Sequence, residues 1–314
     1  MSTSGDAPAE RRSLNAHLYH VSQAPDQLRH LILDIARSTK YISYAIQTTE
    51  AGLAGTANQF GEQQLKLDVL SDQIIQEHLV ESRLVASFAC EEQPEVVEID
   101  PKAPFSVVFD PLDGSSLVDV NFSIGSIFGI YAGKDILGRK PREQVAALYV
   151  LYGPRTVLVY TTGKGVHEFL LNDVGEFILL REYLGIADEA KNFSPGNLRG
   201  VEDGNYRVVL ESWLKQQSTL RYSGCLVADV HHIISKGQGI FTFPRSKKYP
   251  QGKLRLAFEC GPFALLAEQA GGSASDGKCL VLDLPIKTVD QRCPFIIGSK
   301  KEVARVTQLL QEPA

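Results

Sequence analysis

Residues 105–131 read FSVVFDPLDGSSLVDVNFSIGSIFGIY. The apolar, largely β-branched run of Val107, Val108 and Phe109 is a strand pattern, and it delivers two carboxylates, Asp110 and Asp113, at its end. Pro111 makes the chain turn, and Gly114 follows with two small hydroxyl residues, Ser115 and Ser116, the signature of a turn and a helix start. Carboxylates are hard oxygen ligands suited to Mg²⁺. The backbone N–H groups of Gly114 to Ser116, opening a helix, suit a phosphate. Metal ligands and a phosphate cradle in so short a stretch point to metal-assisted phosphate chemistry. Taken alone, the stretch is equally a turn plus a helix cap, since Asp-Gly and Ser-Ser are common in turns.

Working outward, further carboxylates accompany the same pattern. Glu91 and Glu92 directly follow a strand-like run over residues 84–89, so adjacent strands ending at one rim would bring Glu91 beside Asp110. Glu62 directly follows a Gly-rich segment, residues 50–61, that reads as a mobile loop, and Asp68 stands at the start of a helix expected over 68–80. Glu259 precedes Cys260-Gly261-Pro262 in the second half. A lone Glu-Glu pair is ordinarily a solvated edge, but carboxylates brought together repel, and such a set calls for cations. Two or three Mg²⁺ ions, or Mn²⁺, would suit it.

The rest of the chain is patterned as helices and hairpins. Leu28, Leu31, Ile32, Ile35, Ile42 and Ile46 recur at about 3.6 residues and predict a helix over 27–46. Strands are expected over 105–109, 126–131, 147–152, 156–160 and 166–171, then over 239–243, 254–256, 278–283 and 294–297. Helices are expected over 207–217, 229–235, 259–271 and 300–310. The division this suggests is a flexible tail over 1–24, a first half over 25–190 carrying the metal and phosphate site, and a second half over 191–314.

Composition narrows the function classes. The chain has 314 residues, 44% hydrophobic, and a net charge of −5, which speaks against a nucleic-acid partner. No apolar run approaches the ~18 residues of a membrane span, and no membrane partner is expected. The five cysteines are scattered without a CxxC, as reduced thiols packed in the core of an intracellular protein would be. No GxGxxG follows a strand, which excludes the usual dinucleotide site. His231-His232 resembles a metal pair, but neighbours on a helix point apart, so it reads as structural.

FDPLDGSS, with the preceding CEE and the following FSIGSIFGIY, resembles the fructose-1,6-bisphosphatase family. LKLDVLSDQII, RYSGCLVADVH, GKLRLAFECGPFALLAEQAGG and RCPFIIGS extend the resemblance over residues 25–310. Within that family FGEQQLKLDVLSDQ, YGPRTVLVYTTGKGVHEFLL and FSPGNLRG look more like the sedoheptulose-1,7-bisphosphatases. The resemblance implies an α+β protein, a layered αβαβα sandwich of the sugar phosphatase fold. It implies hydrolysis of the 1-phosphate of sedoheptulose 1,7-bisphosphate. The alternatives are a fructose-1,6-bisphosphatase, an enzyme accepting both sugars, or a catalytically silent phosphosugar sensor.

By the same resemblance Glu91, Glu92, Asp110, Asp113, Glu259 and the Leu112 carbonyl are metal ligands. Asp68 and Glu92 polarise the attacking water with Glu62 assisting, and Asp113, Gly114, Ser115 and Ser116 cradle the reacting phosphate. Tyr222, Lys253 and Arg221 grip the sugar and its distal phosphate, Arg221 from a neighbouring subunit of a homodimer or homotetramer, and Arg255 lies near the reaction centre. Asn197 and Arg199 are the candidates for sensing a longer sugar. By themselves Tyr222 reads as a packed aromatic and Lys253 as a solvated turn residue. Departures from the family pattern matter too. Phe243 replaces a frequent tyrosine, Pro104-Phe105 replaces a Lys-Tyr pair of the AMP site, and residues 51–60 hold no cysteine for a disulfide switch, so the resemblance implies a cytoplasmic setting, or a plastid one if a transit peptide has been removed.

Overall fold

The computed structural model describes residues 12–49, 53–57, 63–196, 198 and 202–311, and for 53–57 and 63–65 the backbone. Three helices lead, α1 (Leu14–His20), α2 (Asp26–Thr48) and α3 (Lys66–Ser82), with the antiparallel pair β1 (Leu53–Ala57) and β2 (Gln63–Leu65) between the last two. Eight strands follow: β3 (Val85–Cys90), β4 (Val97–Glu98), β5 (Phe105–Asp113), β6 (Ile124–Ala132), β7 (Gln144–Tyr152), β8 (Thr156–Thr161), β9 (His167–Leu171) and β10 (Phe177–Arg181). They form one sheet in the order β10-β9-β8-β7-β6-β5-β3-β4, antiparallel throughout except that β3 and β5 run parallel. The remaining elements are β11 (Asn192–Pro195), α4 (Gly204–Lys215), β12 (Thr219–Leu220), α5 (Leu226–Lys236), β13 (Ile240–Phe243), β14 (Leu254–Arg255), α6 (Gly261–Gln269), β15 (Ser273–Ser275), β16 (Arg292–Cys293), β17 (Phe295–Gly298) and α7 (Lys300–Leu309). Five of these strands make a second sheet in the order β12-β11-β13-β17-β15, and β14 pairs with β16 alone.

Side-chain alternation stacks these elements into five layers. Val107 and Phe109 of β5 join Phe128 and Leu148 in a core closed by Leu28, Ile32 and Ile35 of α2 and by Ile75 of α3. Val108, Ile127 and Tyr149, on the opposite face, pack against Val227 and Val230 of α5 and Phe263 and Leu266 of α6. That same core continues to Phe241 and Ile297 of the second sheet. Beyond it, Phe193, Ile240 and Ile296 meet Trp213 of α4 and Val306 of α7. The result is an αβαβα sandwich of the α+β class. Strands covered on both faces must be apolar on both, which is why β5 and β6 are nearly continuous apolar runs rather than alternating ones.

Several local expectations need correction. The stretch after Gly114 is a 3₁₀ helix, Ser115–Val120, not the start of an α-helix. Residues 278–283 hold no strand; Val281–Asp283 is a 3₁₀ turn. The strand β10 was not expected, and residues 53–57 of the segment read as a loop are β1. β10 and β1 each pair with the neighbouring strand of the chain, β9 and β2, so the ladder partner rather than local propensity makes them strands. From Ser13 onward the segment read as a tail is structured too. Ser13 caps α1, Leu14, His17 and Leu18 are buried, and the Leu179 N–H donates to the Arg12 carbonyl at 2.9 Å, tying this end to β10. No helix of the described residues is long and apolar enough to cross a membrane.

Candidate active site

The parallel pairing of β3 with β5 sets Cys90 opposite Phe109, so the chain leaves both strands at one rim, carrying Glu91 and Glu92 from one and Asp110 from the other. Asp110 and Asp113 are three apart, and in a regular strand they would point to opposite faces. The β5–β6 register shifts between them: Asp110 faces Ile127 and Asp113 faces Gly125, one residue more on β5 than on β6. Such a bulge re-aims side chains, and it turns both carboxylates to the same side. Pro111 falls within it, where a missing N–H costs no ladder bond, and its carbonyl accepts from the Ser126 hydroxyl at 2.7 Å. The Leu112 N–H donates to Asp110 Oδ1 at 3.0 Å.

Glu259 arrives from far along the chain. Leu256–Cys260 is a π-helical turn leading into α6, a widened turn of the kind frequent at functional sites. The Arg255 N–H donates to Glu259 Oε2 at 2.6 Å. Asp110, Asp113 and Glu259 each offer one carboxylate oxygen, and these lie within 4.8 Å of one another. Asp113 is held by α5: its Oδ2 accepts from the Val227 N–H at 2.7 Å and from the Cys225 thiol at 3.0 Å. Gly114, at φ +80°, presses against Cys225, where a Cβ would come within 2.9 Å of the cysteine Cβ.

These groups line a cleft of about 400 Å³. Asp68, in the first turn of α3, Glu91 and Glu92 share its acidic side, and Gly114, Ser115 and Ser116 lie beside them. Tyr222, Phe241, Phe243, Tyr249 and Lys253 line it as well, and the Lys253 charge favours the ionised form of Asp113. Arg255, 3% exposed, pairs with Glu91 at 2.5 Å. Burial first, and then the charges of Glu91, Asp113 and Glu259, push the Asp110 carboxyl well above its ordinary range, against the pull of the Leu112 N–H. Burial likewise raises Asp113, opposed by the Cys225 thiol and the Val227 N–H. Glu259 is raised by burial, with Arg255 opposing and Glu91 adding to the rise. Buried carboxylates that resist charging in one another's company are a fit site for a hard divalent cation, whose charge removes the conflict.

The structure therefore brings Asp68, Glu91, Glu92, Asp110, Leu112, Asp113, Gly114, Ser115, Ser116, Tyr222, Lys253, Arg255 and Glu259 to one cleft. Arg221 does not line it; it is exposed and donates to the Leu220 carbonyl at 2.8 Å. Glu62, Asn197 and Arg199 lie outside the described residues. His231 belongs to the core, its Nδ1 2.9 Å from the Tyr149 hydroxyl, as its place on a helix suggested. Sequence reasoning missed three residues. Cys225 passed for an ordinary buried thiol. Tyr249 gave no signal beyond its turn. Asp229 accepts from the Ser223 N–H at 2.8 Å through Oδ1, while its buried Oδ2 has no hydrogen-bond partner among the described residues. Burial pushes the Asp229 carboxyl up to about 6.

The sequence patterns described as "Fructose-1-6-bisphosphatase, N-terminal domain" and "Fructose-1-6-bisphosphatase, C-terminal domain" match residues 13–182 and 186–311. The chain belongs to the fructose-1,6-bisphosphatase family. It is 46% identical over 293 residues to the fructose-1,6-bisphosphatase class 1 of Pelobacter propionicus, covering 92% of this chain and 90% of that one. It is 41% identical over 293 residues to the chloroplastic sedoheptulose-1,7-bisphosphatase of Triticum aestivum, covering 91% of this chain and 74% of the relative. A crystal structure of a Toxoplasma gondii protein designated a sedoheptulose-1,7 bisphosphatase superposes with a TM-score of 0.88 at 36% identity, covering 95% and 98% of the two chains. Members of this family are sugar bisphosphatases that depend on divalent metal, and the acidic cluster of this chain has the donors to bind one.

Proposed function

We propose that the protein hydrolyses the 1-phosphate of fructose 1,6-bisphosphate, giving fructose 6-phosphate and inorganic phosphate. The observation that carries the reading is the convergence of Asp110, Asp113 and Glu259 in a cleft that Lys253 also lines. The choice of the six-carbon sugar is supported by the class 1 fructose-1,6-bisphosphatases, at 44–46% identity over most of this chain. It reverses the preference that FSPGNLRG and the other sequence segments suggested. The seven-carbon sugar, or both, is the second reading, favoured by the likeness to the wheat and Toxoplasma proteins.

In this reading Glu91, Glu92, Asp110, the Leu112 carbonyl, Asp113 and Glu259 would hold two or three Mg²⁺ or Mn²⁺ ions. Bound there, the ions would neutralise phosphate charge and favour ionisation of the attacking water. The chain itself supplies the rest. Asp68 and Glu92 take the proton of the water whose oxygen bonds to phosphorus, with Glu62 assisting. The phosphorus–O1 ester bond breaks in line, and the sugar alkoxide leaves with a proton from solvent. Residues 113–116 keep the phosphate in register. Lys253 holds the far phosphate, Tyr222 lies against the sugar, and Asn197 and Arg199 contribute to the choice of sugar length. Arg255 steadies Glu91 and Glu259 from behind. Arg221, exposed on this chain, serves the cleft of a neighbouring copy in a homodimer or homotetramer.

Steady-state kinetics with Mg²⁺ on the two bisphosphates, side by side, test the reading. The expected result is a kcat/KM for fructose 1,6-bisphosphate at least equal to that for sedoheptulose 1,7-bisphosphate. A preference for the seven-carbon sugar of about tenfold, worth about 1.4 kcal/mol, would restore the second reading. Hydrolysis of neither would end both.

A further inference from the structure

Four aromatic residues, Tyr222, Phe241, Phe243 and Tyr249, share the lining of the cleft with the carboxylates. A second anionic group on a substrate would have to be met there. Tyr222 has already spent its hydroxyl, which donates to the Gly196 carbonyl at 3.0 Å. Phe241 and Phe243 have none to offer. The Tyr249 hydroxyl makes no hydrogen bond among the described residues, and the Lys253 ammonium makes no ion pair there. Among the described residues of this lining, Tyr249 and Lys253 are thus donors without a hydrogen bond or ion pair of their own, the Lys253 charge acting on Asp113 only at longer range.

They also ride on one braced loop. The Tyr249 N–H donates to the Ser246 carbonyl at 3.0 Å, and the Ser246 N–H returns the bond to the Tyr249 carbonyl at 3.1 Å. The Gly252 N–H donates to that same carbonyl at 3.0 Å. Gly252, at φ +88°, lies so close to the Cys293–Pro294 link that a Cβ would come within 2.3 Å of the Pro294 nitrogen. The Arg292 guanidinium donates to the Lys253 carbonyl at 2.6 Å. The Lys248 ammonium lies 5.3 Å from the centre of the Tyr249 ring, a cation–π contact that steadies the ring and strengthens its hydroxyl as a donor. A loop fixed in this way spends little entropy when it binds, so its free donors are preorganised.

We propose that Tyr249 is a substrate-binding residue that donates its hydroxyl, alongside the Lys253 charge, to the phosphate remote from the carboxylates. It thereby helps select sugars carrying two phosphates over sugars carrying one. The assignment rests on the bisphosphatase reading, and its test separates the two. In Mg²⁺-supplied enzyme, kcat/KM is measured for fructose 1,6-bisphosphate and for fructose 1-phosphate, which lacks the remote phosphate. Tyr249→Phe removes only the hydroxyl. The expected loss is about tenfold for the bisphosphate, the scale of a hydrogen bond to a charged group, with the monophosphate rate unchanged. An unchanged bisphosphate rate overturns the assignment. So does an equal loss on both substrates, which would mark a general effect on folding or on the reacting end. Native enzyme inactive on the bisphosphate would instead remove the reading beneath it.

Discussion

The two walls of the cleft are built differently. Asp110 and Asp113 stand on a bulged strand inside an eight-stranded sheet, and Glu259 stands in a turn that opens a buried helix. Tyr222, Tyr249 and Lys253 stand in loops at the surface. The reacting end tolerates no displacement, since chemistry needs its groups aligned to a fraction of an ångström. Packed sheets provide that alignment at the expense of burying charge. The far end has only to recognise a shape, and loops can vary without disturbing the core. Changes on the first wall should therefore remove the reaction, and changes on the second should alter which molecule reacts.

The largest expected effect is at Asp113. Asp113→Asn keeps the shape and removes a charge, and kcat should fall at least ~10²-fold, the scale of lost transition-state charge stabilisation. Chelation should abolish phosphate release in the native enzyme, and Mg²⁺ should restore it. Near-normal phosphate release by the variant would erase the contrast between the walls.

Lys253→Ala comes next. It should cost about tenfold in kcat/KM on the bisphosphate, mainly through KM, because a charge-assisted contact is lost while the carboxylates stay in place. A fall in kcat of the same size would show that the far wall also acts on the reacting centre.

The third effect is on stability rather than on turnover, at Asp229. Its carboxyl is raised from 3.8 to about 6 by burial. The unfolded chain therefore releases this proton first, and charging the group destabilises the fold as pH rises through that window. The cost is absent well below the unfolded value and complete above about 6. In metal-free protein, Asp229→Asn should gain on the order of 1–3 kcal/mol at pH 8 and little at pH 4, read by urea unfolding. An equal gain at both pH values would show that packing, not charge, is responsible.

Much of this was legible in the sequence. The helical period of Leu28, Leu31, Ile32 and Ile35 located α2 because one face of a helix must be apolar to be buried. The run ending in Phe109 located β5, and Glu91 and Asp110 meet at one rim because Glu91 directly follows β3 and Asp110 stands at the bulge near the end of β5. Strand β10 escaped because Phe177–Arg181 is only partly buried and lacks a clean alternation. The reading of 278–283 as a strand failed because Val281 and Leu282 pack into the core without a ladder partner, the segment making only a single bridge from Leu280 to Ser275. Tyr249 was silent because nothing in YPQGKLR tells which side of a turn faces a cleft.

The sequence alone determined which chemistry the chain carries: oxygen donors at strand ends, small residues where a phosphate must approach, apolar periods that demand burial. These are local properties, written in neighbouring side chains and in the backbone freedom of residues such as Gly114. The tertiary structure alone decided that Asp110 and Asp113 face the same way, through a bulge whose register depends on β6. It also decided that Cys225 and Val227 hold Asp113, and that Glu259 completes the carboxylate group from nearly 150 residues away. Such contacts arise when distant elements pack against one another, and no local pattern encodes the distance at which two carboxylates come to rest.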